Sequence, residues 1–253
     1  MRNFTDFYPC LVRLAHEVTL RRCRDERMRG MVLRRILREI GSSDDRTSMP
    51  ELAGAIYRIL GESLGNRDLF AAEKEHFNRE MMKLEGTFAA IIDGSCDRLS
   101  AAVNLAAAGN IIDFGALGDV DRETVIRAIR TTQSRPVPPA TIDELRRDLA
   151  AAATLLYIGD NAGEIVFDKA LVSCIRQEFP HLDVTFGTRG APVVNDATLE
   201  DAVYVGIDAL ARVISNGTAL PGVVLSKCSA EFRRIFDSAD VIISKGQGNF
   251  EGL

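Results

Sequence analysis

The chain has 253 residues, 31 basic and 36 acidic side chains, and a formal net charge of −5. Hydrophobic residues make up 46% and charged residues 26%, with mean hydropathy +0.01, which excludes a disordered chain. No apolar run reaches the ~18 residues of a membrane span, and the opening Met1-Arg2-Asn3-Phe4-Thr5-Asp6 has no apolar signal core.

The five cysteines include no Cys-x-x-Cys, so a disulfide framework or a cysteine-rich zinc site is not expected, and a reducing cytoplasm is. His16, His76 and His181 are scattered. An active site here is expected to run on Asp, Glu, Asn and Lys.

The first half reads as helical. Pro9 suits a first helical turn. Leu11, Leu14, Ala15 and Val18 recur at helical spacing, as do Val32, Ile36, Leu37 and Ile40. Ser48-Met49-Pro50-Glu51 reads as a capping box, opening a helix that carries Leu52, Ile56, Ile59 and Leu60. Further helices are expected at about 68–84, 95–108 and 121–132, with breaks at Gly109 and Gly115.

Residues 10–40 hold nine arginines against four acids, a local charge of +5 that leaves −10 for the rest. Such a stretch reads as a basic docking face or as a solvated face with local ion pairs. The acidic whole and the absence of a nucleic-acid motif favour the second.

Arg135-Pro136-Val137-Pro138-Pro139 reads as an extended linker, because residues before prolines avoid the α region. A short helix at about 141–151 should follow. Beyond it, apolar runs alternate with helical segments. Strands are expected at 155–158, 184–186, 211–215 and 241–243, and helices at 163–178, 198–204 and 228–238. That alternation predicts an α/β fold: a three-layer α-β-α, mainly parallel, Rossmann-like sheet domain at 153–253. It follows an all-helical N-terminal subdomain at 1–134 and a linker with a short helix at 135–152.

In such a sheet, ligands bind beyond the carboxyl ends of the strands. Three polar, Gly-punctuated segments fall there. In the first, Asp160 and Asn161 follow an apolar strand, and Ala162 or Gly163 opens a helix that carries Glu164. Carboxylate and amide oxygens suit Mg²⁺ or Mn²⁺, and helix-start amides suit an anion. The plainer reading is that Asp160 or Asn161 caps the helix.

The second segment supplies Asp196, as a third ligand or as a cap for a helix near Ala197. Thr188 and Arg189 are candidates for gripping substrate, Arg189 as a phosphate fork or simply as a solvated loop arginine. In the third, Lys245 precedes Gly246-Gln247-Gly248, which reads as a close backbone approach to phosphate or as a flexible turn. A fourth candidate, Asn110 to Asp113, lies in the helical half. There is no Walker loop, no dinucleotide fingerprint, no Gly-x-Ser-x-Gly elbow and no Asp-x-Asp after a strand. Asn216-Gly217-Thr218 matches a glycosylation sequon but reads as a turn.

Together YIGDNAGEIVFDKAL (157–171), RGAPVVNDATLEDA (189–202), SNGTALPG (215–222), ISKGQGNFE (243–251) and AAAGNIIDFG (106–115) resemble the damage-control phosphatase family. That family, also called the ARMT-like domain, was long catalogued as domain of unknown function eighty-nine. The resemblance implies a metal-dependent phosphatase of the stand-alone prokaryotic type, acting on phosphorylated, in part damaged, metabolites such as sugar phosphates. It implies one divalent cation (Mn, Mg, Co or Ni) on Asp160, Asn161 and Asp196, Lys245 as phosphate contact, and Glu164 near the metal-bound water. On that reading Asp160, Glu164 and Lys245 are the catalytic residues, with either the water or Asp160 itself attacking phosphorus and Glu164 moving the proton. Asn110 and Asp113 would border the substrate pocket. Ala162, Gly163, Arg189 and Gly246 complete the expected phosphate-binding set.

Members often begin with a Cys-x-x-Cys-like segment, where this chain has Cys10 alone. They also usually continue past Asn-Phe-Glu with another strand segment, where this sequence stops at Leu253. A missing last strand would leave a sheet edge open. The expected partner is a small phosphorylated metabolite, with neither nucleic acid nor membrane; the residues do not specify an oligomeric state. Two other readings belong to different classes: an S-adenosylmethionine-dependent carboxyl methyltransferase, and a non-catalytic phosphometabolite-binding protein.

Overall fold

The computed structural model describes residues 7–44, 46–112 and 122–253. Among the described residues, eight helices precede the first strand: α1 (Phe7–Arg22), α2 (Glu26–Ser42), α3 (Met49–Leu64), α4 (Ala71–Met82), α5 (Glu85–Asp93), α6 (Arg98–Ile111), α7 (Arg122–Ser134) and α8 (Pro139–Ala151). The rest alternates: β1 (Thr154–Ile158), α9 (Glu164–Glu178), β2 (Asp183–Thr188), α10 (Leu199–Tyr204), β3 (Arg212–Ser215), α11 (Ala230–Ser238), β4 (Val241–Ser244) and α12 (Gln247–Gly252).

The caps explain several boundaries. The Ser48 amide and hydroxyl both donate to Glu51 at the start of α3. Asp25 accepts from the Arg27 and Met28 amides at the start of α2. Three departures from the sequence reading stand out. The helix expected at about 68–84 is α4, and a further helix that the sequence reading does not expect, α5, follows it after a break at Lys83-Leu84. α6 runs through Gly109, whose lack of a side chain lets the Phe167 ring pack against the helix; Gly115, the other expected break, lies outside the described residues. The turn expected at 246–248 instead opens α12, with Gly246 (φ +86) before its first residue.

The four strands form one sheet in the order β3-β2-β1-β4, and every pairing is parallel. Leu155, Tyr157, Val184 and Phe186 face α6 and α9 on one side. Leu156, Ile158 and Ile214 meet Phe232 of α11 on the other, which completes the three layers. Alternate residues of a strand point to opposite faces, so each run fills both cores.

The helical half divides between two cores. α1, α2 and α3 share one that includes Leu52, Ile56, Leu60 and Val193. Phe77, Phe88, Leu99 and Val125, from α4 to α7, belong to the core of the sheet itself. The Phe88 ring lies 4.4 Å from that of Phe167 on α9. Among the described residues no helix is long and apolar enough to cross a membrane.

Candidate active site

The polar segments at the strand ends meet at one place. Parallel pairing of β1 with β2 and β4 brings Ile158 beside Gly187 and Ser244. The loops that follow, carrying Asp160, Arg189 and Lys245, must therefore emerge together. The Lys245 amide extends the ladder to the Ile158 carbonyl at 3.0 Å. On the other side, the Ala197 amide donates to the Asp160 carbonyl at 2.7 Å, joining the Asp160 and Asp196 loops.

Neither acidic loop is taken up by capping. α10 is capped by Thr198, whose amide and hydroxyl bind Asp201, so Asp196 is left for other work. The residue before α9 is Gly163 (φ +83), with no side-chain cap.

Arg189 is 1% exposed, not a solvated loop residue. Its guanidinium donates through Nε to Asp196 at 2.6 Å, through Nη2 to Asp160 at 2.9 Å and through Nη1 to Asn249 at 2.8 Å. This fork joins the two carboxylates to α12 instead of facing outward toward a phosphate. Thr188, also buried, directs its hydroxyl to the Ile214 carbonyl.

Asn161 Nδ2 bridges Asp160 (3.0 Å) and Glu164 (3.1 Å). Lys245 Nζ donates to Glu164 (2.6 Å), to Asp168 (2.8 Å) and to the Ala106 carbonyl (3.0 Å). The Tyr157 hydroxyl donates to the same Asp168 oxygen at 2.7 Å.

The expected amide cradle at Ala162 and Gly163 is already engaged. The Ala162 amide donates to the Asn195 carbonyl, and the Gly163 amide to Asn78 Oδ1 of α4 at 2.6 Å. Asn78 in turn donates to Asp201, which also receives Lys74. Asn110 is exposed near the end of α6, and Asp113 lies outside the described residues. α6 reaches the cluster through the Ala106 carbonyl instead.

Four participants receive no role from the sequence: Asn78, Tyr157, Asp168 and Asn249. Asn78 sits inside a helix with no local motif. Tyr157 and Asp168 fall within the 157–171 segment and Asn249 within 243–251, but motif spacing does not set them apart from core or turn residues. The one available signal is the i, i+4 spacing of Glu164 and Asp168, which puts two carboxylates on one helix face.

Four carboxylates (Asp160, Glu164, Asp168, Asp196) thus share two cations, Arg189 and Lys245, a formal excess of two negative charges. Burial, then the neighbouring Asp196 charge, pushes the Asp160 carboxyl well above its ordinary value. Burial also raises Asp196, against the pull of Arg189. Asp168 is pushed up to about 6 by burial, opposed by Lys245. Burial works to lower Lys245, but Asp168 and Glu164 outweigh it and hold the ammonium above its usual range.

This donor chemistry fits a divalent cation. Two carboxylates and an amide from adjoining loops are hard oxygen ligands, and a doubly positive ion would balance the excess charge. Among the described residues, no three His, Cys, Asp or Glu side chains form a ready-made metal cage. The fit therefore depends on Asn161 joining Asp160 and Asp196.

Fold and cluster together define a class: a parallel α/β protein with a buried, oxygen-rich polar centre at its strand ends. Residues 4–253 match the family described as the Damage-control phosphatase ARMT1-like domain, and the chain belongs to that family. It is 35% identical over 234 residues to a protein of Pyrococcus horikoshii named damage-control phosphatase, covering 90% of this chain and 77% of that one. It is 32% identical over 254 residues to an uncharacterized protein of Methanocaldococcus jannaschii, covering 96% and 81%. The crystal structure of a DUF89 family protein from Pyrococcus horikoshii superposes with a TM-score of 0.87 at 30% identity, covering 100% of this chain and 87% of that one. The names of its relatives give the family a phosphatase role.

Proposed function

We propose that this chain is a divalent-cation-dependent phosphatase acting on phosphate monoesters of small metabolites, sugar phosphates and damaged metabolites among them. The observation that carries this reading is the cluster of four carboxylates around only two cations where β1, β2 and β4 end. Asp160, Asn161 and Asp196 would hold one Mn²⁺, Mg²⁺, Co²⁺ or Ni²⁺. Such an ion, when bound, supplies Lewis acidity that offsets charge on a phosphoryl group.

The chain's own residues would do the rest. Arg189 favours the ionised form of the two aspartates and holds them a fixed distance apart. Lys245 lends positive charge beside the phosphate. Glu164, with one oxygen on Lys245 and the other on Asn161, is positioned to move a proton. Asn110 and Asp113 would border the substrate, in a cytoplasmic enzyme.

The test is a phosphomonoester screen with each of the four cations, before and after chelation. Turnover that is lost on chelation and restored by one cation supports the reading. Unchanged turnover after chelation, or full activity in Asp160→Ala, sinks it. Metabolite binding without turnover would favour the non-catalytic reading, and adenosylmethionine binding the methyltransferase.

A further inference from the structure

Glu164 and Asp168 lie one turn apart on α9, and both are fully buried. Two like charges at that spacing repel, so the pair needs a cation between them. Lys245 provides it from the loop just after β4. An ammonium has three donors. All three are used here, on Glu164, Asp168 and the Ala106 carbonyl. Lys245 is therefore fixed in direction by α9 and α6 together.

Asp168 is an expensive way to fix it. Its Oδ1 receives both Lys245 and the Tyr157 hydroxyl. Its Oδ2 is buried with no hydrogen-bond partner among the described residues. Leaving such an oxygen unpaired is destabilising, and well-packed apolar residues often replace buried ion pairs without loss. Stability alone does not account for a carboxylate here.

We propose that Asp168 is a positioning residue: with Tyr157 behind it, it divides Lys245 between two carboxylates and so sets the orientation of Glu164. This rests on the phosphatase reading above. Without the Asp168 charge, Lys245 falls wholly onto Glu164 and draws that carboxylate away from Asn161 and from the reacting group. The effect is on turnover, not on substrate binding.

The experiment uses the full chain with Mn²⁺ and p-nitrophenyl phosphate, comparing Asp168→Asn, Tyr157→Phe, Glu164→Gln and the double variant Asp168→Asn/Glu164→Gln. Asp168→Asn should lower kcat about 10–100-fold, by analogy with the outer partners that orient ligands at a metal site, with KM within about threefold. Tyr157→Phe should lower kcat less. In the Glu164→Gln background, Asp168→Asn should cost less than about twofold, because residues acting through one another are not additive. Circular dichroism and thermal melting check the fold, and if Asp168→Asn does not fold, Tyr157→Phe in both backgrounds carries the test.

An active wild type with an equally active Asp168→Asn overturns this inference alone. So does a full additive loss in the Glu164→Gln background, or a change confined to KM. A wild type without turnover overturns the phosphatase reading and this inference with it.

Discussion

Gly246 stands directly against the carboxylate of Asp160. A Cβ built on Gly246 would overlap both carboxylate oxygens, and its backbone has φ +86. The position therefore excludes side chains twice, by contact and by conformation. Gly246→Ala should displace Asp160, destabilise the chain by about 1–3 kcal/mol through backbone strain, and weaken cation binding. Calorimetry with Mn²⁺ and urea unfolding check both. Wild-type affinity in the variant would show that Asp160 does not need this neighbour.

Arg189 offers a second measurement. Removing a buried charge from between two carboxylates leaves them uncompensated, at a cost of about 3–5 kcal/mol. Arg189→Ala should lose that much in urea unfolding. Arg189→Lys should recover only part of it, because an ammonium cannot reproduce a fork that reaches Asp160, Asp196 and Asn249. Equal stability of the lysine variant and the wild type would contradict the geometry.

Asn78 ties α4 to the start of α9. Asn78→Ala removes the acceptor for the Gly163 amide and a donor to Asp201. The expected loss is about 1–3 kcal/mol, with lower activity from a loosened 160–164 loop. A thermal melt and a kinetic assay on the same sample decide it; an unchanged melting temperature would count against the tie.

Asp240 gives a pH dependence. Its Oδ2 accepts from the Ala153 and Thr154 amides and the Thr154 hydroxyl at the start of β1. Those bonds hold its carboxyl below the ordinary value of 3.8. A depressed folded-state pKa gives stability that is complete above the unfolded-state value and is lost as pH falls toward the folded-state one. The urea midpoint of the wild type should fall more steeply below pH 3.8 than that of Asp240→Asn. Parallel curves would refute the assignment.

The strands are legible in the residues because each is a short apolar run, buried on both faces in the case of Leu155 to Ile158. The convergence of Asp160, Asp196 and Lys245 follows from placing their loops at the ends of parallel strands. What escapes is set by tertiary contact. Asn78 meets Gly163 across 85 positions, and nothing in α4 marks it. Arg189 reads as a substrate grip or a solvated loop arginine because its loop is polar and Gly-rich; the need of two adjacent aspartates for a countercharge is the clue to its actual place. α5 is hidden because Gly86 and Thr87 weaken its helical pattern.

The strand order also has a kinetic consequence. β1 sits between β2, its neighbour in sequence, and β4, whose flanking Asp240 and Lys245 reach back across 86 and 81 positions. Short-range pairing of β1 with β2 should come first, since long loops are slow to close. Until β4 arrives, β1 presents an unpaired edge, an opening for mispairing with another chain. The polar centre, which needs Lys245, Gly246 and Asn249, can be completed only in that last step.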